Sequence, residues 1–357
     1  MADDAGERQP APMEAGGRYN DHSHHQATGG AFGLPMIAPA FASMAPSGPV
    51  VLADYGCAQG RNSLRPLAEA LARTRALIGA EPAISVVHVD QPANDFAALF
   101  LLLRDDGESY LRADANVFAS AVGRSHFDQV LPSGSVDFGW SSFAAHWLSA
   151  APVTDAGHVW PHLADPAVEQ RFAAQAAEDW RRFLASRARE LKPGGALVVV
   201  QPCLGEGVAT TFPVLMDWTQ QALEAMEREG MLTTAERRRM TLLVYERRLD
   251  ELRAPFASGA FAGLEMVAEE ARPMPDPFWP AYRADSDAEA LAGRHLGFFR
   301  APFMPSLIAA LDPARDAAFR TAFAARLESE LHARMLAAPQ PLLEPMTIHS
   351  ALLRKVG

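Results

Sequence analysis

A short apolar run that leads into a glycine turn constrains the fold of this chain more than any other feature. Residues 49–53 are apolar throughout, as in a central strand of a parallel sheet, and the turn that follows contains Gly56 and Gly60. Apolar residues then recur at the spacing of one helix face, at Leu64, Leu67, Leu71 and Ile78. A strand, a glycine turn and a helix in this order open a doubly wound α/β fold, in which the turn lies against a ligand.

The acidic residue before the turn indicates the charge of that ligand. The glycines do not have the three-glycine spacing of dinucleotide-binding turns, and Asp54 stands two positions before Gly56. A carboxylate there would repel the phosphates that a helix N-terminus attracts, but it would attract an amine. S-adenosylmethionine (SAM), which carries an ammonium and a sulfonium group, therefore fits this turn better than a dinucleotide. Tight packing between strand and helix is the alternative explanation of the two glycines.

A second strand, over residues 83–90, ends in another acidic residue. Asp90 lies about 30 positions beyond the turn, whereas the ribose-binding carboxylate of doubly wound folds usually follows after about 20. After Asp90, Asn94 and Asp95 can cap a helix whose apolar face contains Phe96, Leu99, Phe100 and Leu103. The carboxylate at the strand end favours cofactor binding over simple packing at the turn.

Composition and charge exclude several classes of partner. The 357 residues are 49% hydrophobic and 21% charged, which suits one elaborated globular domain or two smaller ones. The formal net charge of −11 argues against broad contact with nucleic acid. No membrane span is expected, because the sequence has no run of 18 apolar residues, and residues 1–12 are predicted to be a disordered tail rather than a secretory signal. The two cysteines, Cys57 and Cys203, indicate a reducing cytoplasm and no cysteine-based metal site.

The middle of the chain continues the alternation of strands and helices. Residues 13–48 have no sustained period and are predicted to form an irregular entry segment. Strands are predicted over residues 135–142 and 196–200, with a helix over 168–191 and a turn at 192–195 between them. Four strands that alternate with helices predict a mostly parallel sheet covered on both faces, and therefore the α/β class.

The C-terminal part is predominantly helical. The pattern predicts helices within residues 212–255 and over 313–335, and an edge strand over 347–356. Helices above the C-terminal edge of the sheet would close a pocket at the topological switch point. The predicted division is a tail (1–12), a Rossmann-like cofactor domain (13–210 with 340–357) and a largely helical cap (211–339).

Five motifs follow one another along the chain: Tyr19-Asn-Asp-His22-Ser23-His-His-Gln26, Asp54-Tyr-Gly-Cys-Ala-Gln-Gly-Arg-Asn62, Asp90-Gln-Pro-Ala-Asn-Asp-Phe96, Ser125-His-Phe127 and Ser141-Ser-Phe-Ala-Ala-His146-Trp147-Leu-Ser149. They resemble the plant SABATH family of small-molecule methyltransferases, named for salicylate, benzoate and theobromine methylation. The first two, which match the family's entry motif and cofactor turn, are the most specific. The resemblance extends from about residue 13 to the C-terminus.

The resemblance implies a Rossmann-like class I methyltransferase with a helical cap, which uses SAM and forms homodimers. Its acceptors would be small aromatic or apolar carboxylic acids or, in one branch of the family, purine-type nitrogens. By position in the motifs, Gln26 and Trp147 would hold the acceptor carboxylate, with His146 beside it. The implied cofactor site comprises Tyr19, Ser23, Asp54, Gly56, Cys57, Gly60, Asn62, Asp90, Gln91, Ser125 and His126.

The chain also departs from the family pattern. His126 replaces the aromatic residue after Ser125, so stacking on adenine would be weaker or titratable, Gln91 replaces a leucine, and His22 replaces an asparagine. The segments where some members bind magnesium correspond to residues 155–157 and 240–243, which lack the family's residues, so no metal is expected. The histidines His22, His24 and His25 are predicted to lie in a solvated loop rather than in a metal site.

Methyl transfer to a carboxylate requires alignment more than acid–base chemistry. A carboxylic acid with a pKa of about 4 is already ionised at neutral pH, so an in-line displacement needs no general base. The amide of Gln26 and the indole N–H of Trp147 can orient an anion without competing as nucleophiles. His146 is either a pocket residue or a base for another acceptor, and Cys57 is expected to be a turn residue rather than a nucleophile. N-methylation of a purine-like heterocycle and a non-catalytic cofactor-fold binding protein are the alternative functions.

Overall fold

The computed structural model describes residues 8–356 and contains a seven-stranded sheet. The strands are β1 (Val50–Tyr55), β2 (Ile84–Asp90), β3 (Val117–Gly123), β4 (Val136–Ser142), β5 (Leu191–Cys203), β6 (Leu264–Pro273) and β7 (Thr347–Lys355). Their order is β3-β2-β1-β4-β5-β7-β6, with β1 to β5 parallel and β7 antiparallel to both β5 and β6. The predicted α/β class and mostly parallel sheet are confirmed.

Helices cover both faces of the sheet and its C-terminal edge. The α-helices in residues 8–356 are α1 (Arg18–His22), α2 (His24–Gly30), α3 (Ile37–Phe41), α4 (Leu64–Ile78), α5 (Phe96–Asp105), α6 (Tyr110–Ala113), α7 (Pro166–Glu190), α8 (Pro213–Arg228), α9 (Thr234–Arg239), α10 (Leu249–Arg253), α11 (Trp279–Asp285), α12 (Ala288–Ala309) and α13 (Ala317–Ala337). Short 3-10 segments lie at Ala31–Met36, Arg61–Ser63, Pro161–Leu163 and Ala254–Phe256. None of the helices in this part of the chain is long and apolar enough to cross a membrane.

The period-2 alternation of the central strands divides the core in two. In β1, Leu52 packs into one apolar cluster and Ala53 into the other, and Val198 and Val199 of β5 divide in the same way. Both faces of these strands are therefore apolar, as expected when helices cover a parallel sheet on both sides. The cap of α5 is as predicted, since the side chain of Asp95 accepts a hydrogen bond from the backbone N–H of Ala98.

Three predictions about segments were wrong. The entry segment 13–48 is not irregular but contains α1 to α3 and a 3-10 segment, which the short lengths of these elements concealed. Residues 192–195 belong to β5 rather than to a separate turn, although Gly194 has a left-handed φ of 78°. The C-terminal strand is not at an edge: β7 is buried between β5 and β6, which fits its apolar run from Ala351 to Leu353.

Two strands of the sheet were not recognised from the sequence. β3 and β6 were not predicted, and β6 lies in the sheet although it falls within the predicted cap. Residues 1–7 of the predicted tail lie outside the described residues. Arg8, however, is tied to the body of the protein, since its guanidinium donates to the carbonyl of Thr241 (2.6 Å) and its own carbonyl accepts from Ala151 N–H (3.0 Å). The predicted disordered tail therefore does not extend to Arg8.

Candidate active site

Three cavities meet at the carboxyl ends of β1 and β4, where the strand order reverses. The large, inner and turn cavities have volumes of about 360, 30 and 20 Å³ respectively. The large cavity is lined by Gly56, Asp90 and His126 among others, the turn cavity by Asp54 and Gly60, and the inner cavity by His146 and Phe298. Tyr19 and Phe143 line all three cavities. The three spaces therefore share one junction at the switch point, where open α/β sheets bind ligands.

The two glycines of the turn satisfy packing as well as ligand access. Gly56 and Gly60 have φ of 85° and 90°, in the left-handed region that favours glycine. A Cβ on Gly56 would lie 2.2 Å from the Cβ of Ala144, and one on Gly60 would lie 2.4 Å from Cδ1 of Leu99. Tight packing, the alternative explanation from the sequence, is thus correct for both positions. Both glycines also line the turn cavity, so tight packing does not rule out close approach of a ligand.

Asp90 lies on the wall of the large cavity at the end of β2. Its Oδ2 accepts from the backbone N–H of Ala58 (2.7 Å) and its Oδ1 from that of Gln91 (2.8 Å). Burial raises the pKa of Asp90 to about 6, and the negative charge of Asp54 adds to this, although the two N–H groups oppose the rise. The fold therefore holds a carboxylate at this wall in spite of the cost of its burial.

Asp54 is held by a buried hydrogen-bonded chain. Its Oδ2 lies 2.8 Å from Nδ1 of His88, and Nε2 of His88 lies 2.7 Å from the hydroxyl of Tyr110. These hydrogen bonds hold the carboxylate at the turn cavity, and neither partner was predicted from the sequence. Burial raises the pKa of the neighbouring Cys57 thiol well above its ordinary value, with the charges of Asp90 and Asp54 acting in the same direction. A thiol held protonated in this way fits a turn residue rather than a nucleophile.

The remaining predicted cofactor residues divide between the cavities. Ser125 and Gln91 line the large cavity, and Asn62 and Cys57 line the turn cavity. Ser23 lines none of the three; it lies behind Asn62, with its hydroxyl 3.4 Å from Asn62 Oδ1. The structure thus brings the predicted set together around one junction, with Ser23 in a supporting position.

His126 is buried at the large cavity and is neutral at physiological pH. Burial and then the charge of Arg187 lower its pKa to about 3, which favours the first of the two expectations, weaker stacking on adenine, over titratable stacking. The loop that carries His126 is anchored from below by a buried ion pair, in which the Arg187 guanidinium bonds both oxygens of Glu190 and the carbonyls of His126 and Asp128. The sequence did not predict this ion pair, because Arg187 and Glu190 have the spacing of ordinary polar residues at the end of a helix.

The inner cavity contains the predicted acceptor residues. Gln26 lines both the inner and the turn cavity, and Trp147 lines both the inner and the large cavity. The buried Oε1 of Gln26 has no hydrogen-bond partner among the described residues. The extended segment after α9 positions Trp147, which forms a β-bridge with Val244. Both side chains therefore lie between the inner cavity and one of the other two cavities.

Two histidines in the inner cavity are uncharged. Burial is the main cause that lowers the pKa of His146 to about 3, and it lowers that of His25 to about 3 as well. His25 was predicted to lie in a solvated loop, but it is 1% exposed, and its ring contacts those of Phe143, Phe212 and Phe298. The helical phase of α2 explains the error, since it directs His25 inward with Gln26 while His24 remains exposed.

The sequence comparisons assign this geometry to a family. The profile of the SAM-dependent carboxyl methyltransferases matches residues 13–274. The chain belongs to this family. The resemblance to the SABATH methyltransferases is thereby confirmed.

Named relatives match large parts of this chain. The chain is 32% identical over 258 residues to indole-3-acetate O-methyltransferase 1 of Oryza sativa subsp. japonica, a match that spans 60% of this chain and 62% of that protein. It is 31% identical over 275 residues to O-methyltransferase acrG of Aspergillus aculeatus, covering 72% and 70% of the two chains. The solved structure of loganic acid methyltransferase with SAH covers 97% of this chain and 99% of its own, with a TM-score of 0.76 at 18% identity. That likeness confirms the class I methyltransferase fold.

Proposed function

We propose that this protein transfers the methyl group of SAM to the carboxylate of a small aromatic or apolar acid and forms its methyl ester. One observation carries the proposal: a cavity with a carboxylate on its wall and an apolar inner cavity meet at one junction, beside the donors of Gln26 and Trp147. The cofactor would occupy the large and turn cavities. The acceptor would enter the inner cavity, whose volume of about 30 Å³ must widen by side-chain movement to hold an aromatic ring.

The residues at the large and turn cavities fit SAM. Asp90 at the end of β2 suits the ribose hydroxyls, and Asp54 at the turn suits the ammonium group, since both offer carboxylate oxygens at the expected strand ends. When bound, SAM would supply the electrophilic methyl group. The chain would hold the cofactor there and orient the acceptor against it, and alignment of this kind can lower a barrier by about 7–11 kcal/mol.

An acceptor anion in the inner cavity would have to find its counter-charge on the cofactor. The described residues that line it include no lysine or arginine, and His25 and His146 are neutral. An acceptor carboxylate would receive hydrogen bonds from Gln26 and Trp147 but would find no cationic side chain there. It would therefore be drawn to the sulfonium, and a low-dielectric cavity strengthens that attraction. No general base is needed, which agrees with the low pKa of His146.

A panel of methyl acceptors tests the proposal. The protein would be incubated with methyl-labelled SAM and small aromatic acids, aliphatic acids or xanthine-type purines, and the products would be treated with mild base. We expect base-labile label with the acids, as in methyl esters, and a loss of that activity in Gln26→Ala. Base-stable label on purines and none on acids would establish N-methylation instead. Failure to bind S-adenosylhomocysteine in a calorimetric titration would favour a non-catalytic protein.

We also propose a homodimer in a reducing cytoplasm. The family resemblance motivates the dimer, and Phe100, Leu101 and Phe118 expose 43%, 49% and 57% of their surface around α5 and β3. Cys57 and Cys203 are both buried and unlinked, which suits a reducing compartment. Sedimentation equilibrium tests the dimer, and a monomer at micromolar concentration would contradict it.

A further inference from the structure

A buried carboxylate lines the inner cavity at a position that the proposed chemistry does not use. Glu246 is 1% exposed, and within residues 8–356 its Oε2 makes one long polar contact, 3.4 Å from Nε2 of His162. Most of the cavity wall around it is apolar and includes Phe212, Phe298 and Phe303. A carboxylate offers about four acceptor sites, so a buried one with a single long contact can still accept a hydrogen bond from a ligand in the cavity.

The backbone aims Glu246 into this cavity. The segment around it is extended and alternates between two sides: Leu242 and Val244 join the core cluster of the inner cavity, whereas Leu243 and Tyr245 join a separate cluster against α7. Glu246 has the phase of Leu242 and Val244, so it occupies a position that the pattern reserves for an apolar residue. Tyr245 N–H donates to the carbonyl of His146 (2.9 Å) and fixes the segment beside the acceptor residues.

His162, which does not line the inner cavity, partly balances the charge of Glu246. Its Oε2 lies 3.4 Å from Nε2 of His162, whose Nδ1 lies 2.9 Å from Oε1 of Glu169. Burial lowers the pKa of His162, but the two carboxylates together outweigh burial and raise it. A histidine between two carboxylates offsets part of their charge, so a neutral donor can satisfy Glu246.

We infer that the acceptor carries an O–H or N–H group remote from its carboxylate, and that this group donates a hydrogen bond to Glu246. This inference rests on the proposed function. Gln26 and Trp147 line the junction with the other cavities, while Glu246 lines the inner cavity alone. Glu246 lies two residues beyond Val244, about 6.6 Å along an extended chain. An acceptor held at the junction by its carboxylate therefore presents its opposite end to Glu246, which also keeps the two negative charges apart.

Matched pairs of acids test this inference. Benzoates and phenylacetates with a ring hydroxyl would be compared with the same acids carrying a methyl group of similar size, using kcat/KM for ester formation. We expect the wild-type protein to prefer the hydroxylated member of at least one pair by roughly tenfold or more, because a site built for a hydroxyl rejects an analogue that leaves its acceptor unpaired. Equal turnover of hydroxylated and methylated members in every pair would overturn the inference.

Variants assign the preference to Glu246. In Glu246→Leu the preference should vanish or invert, and the methylated acids should be turned over at least as well as by the wild type. Glu246→Gln, which keeps the shape and one acceptor oxygen, should retain part of the preference and covers the case in which the leucine variant does not fold. Glu169→Gln is the matched control, because it removes the other carboxylate on His162 outside the cavity and should leave the preference unchanged.

Two outcomes separate this inference from the proposed function. If S-adenosylhomocysteine binds and acids are methylated, but Glu246→Leu and Glu246→Gln keep the wild-type preference, the inference alone is wrong and Glu246 is a structural partner of His162. If no acid is methylated although S-adenosylhomocysteine binds, the proposed function is wrong and the inference falls with it.

Discussion

Replacing Asp90 by asparagine should change the stability of the protein more favourably at neutral pH than at acidic pH. The same substitution should weaken cofactor binding. Asp90 has a pKa of about 6 in the folded protein against 3.8 for an ordinary aspartate, chiefly because it is buried. Because the folded state favours the protonated form of Asp90, the contribution of Asp90 to the free energy of unfolding is fully present below about pH 4 and is lost as the pH rises through 6. Asp90→Asn removes this titration and changes little else in shape.

The pH dependence isolates the ionisation from the other effects of the substitution. Asparagine loses one of the two acceptors for the N–H groups of Ala58 and Gln91, but that loss is the same at every pH. With the two pKa values above, the wild type should lose about 1.4 kcal/mol relative to Asp90→Asn between pH 5 and pH 7.5. Urea unfolding of both proteins without cofactor, at pH 5, 6 and 7.5, measures this difference.

Cofactor binding should change in the opposite direction. Hydrogen bonds from ribose hydroxyls to an ionised carboxylate contribute about 1.5–3 kcal/mol each. Asp90→Asn should therefore lower the affinity for S-adenosylhomocysteine by roughly tenfold or more at pH 7.5. Wild-type affinity should itself fall as the pH drops below about 6, because Asp90 becomes protonated. A stability difference that does not vary between pH 5 and 7.5 would refute the raised pKa. Unchanged affinity in Asp90→Asn would refute the assignment of the ribose.

Three further predictions follow from the site and its anchor. Trp147→Phe keeps an aromatic ring but removes the indole N–H, so kcat/KM for acids should fall by about tenfold or more, while the affinity for S-adenosylhomocysteine should stay within about twofold of the wild type. Trp160→Phe is the control, because the N–H of Trp160 already donates to Thr210. An equal loss in both variants would contradict a hydrogen bond from Trp147 to the acceptor carboxylate. With a pKa of about 3, His146 should leave kcat flat between pH 6.5 and 9, and a limb in this range that disappears in His146→Gln would show that it acts as a base. Arg187→Met should lower the free energy of unfolding by about 3–5 kcal/mol, because it leaves the charge of the buried Glu190 without its cationic partner. The double variant with Glu190→Leu should lose less free energy of unfolding than the two single variants added together. Strictly additive losses in urea titrations would mean that the pair is not coupled.

The parts of the fold that the sequence predicted are those with strong local signals. Strands β1, β2 and β5 carry apolar residues on both faces, and β4 carries Val136, Phe138 and Trp140 on one face. All four follow or precede clear helices, so their pattern alone identified them. β6 reads Leu-Glu-Met-Val-Ala-Glu-Glu-Ala-Arg-Pro, and most of its residues are at least partly exposed, so it has too little apolar periodicity to be recognised. The position of β7 inside the sheet could not be predicted from the sequence for a different reason. A local pattern of residues identifies a strand but does not show which strands pair with it.

The candidate site divides in the same way. Motif positions located Asp90, Gln26 and Trp147, and the structure brings them to one junction. The buried anchor of Arg187 and the inward position of His25 depend on tertiary contacts that no short motif encodes. Glu246 did leave a signal, because it interrupts an alternation of apolar residues with a charge, and a buried charge in an apolar register marks a function more often than an accident.

A crystal structure of the protein with S-adenosylhomocysteine and a small carboxylic acid tests the central claim most directly. We expect the ribose hydroxyls at Asp90, the sulfur at the junction beside Tyr19 and Phe143, and the acid in the inner cavity with its carboxylate against Gln26 and Trp147. An acid that lies with its carboxylate away from these two side chains, or a cofactor outside the large and turn cavities, would contradict it.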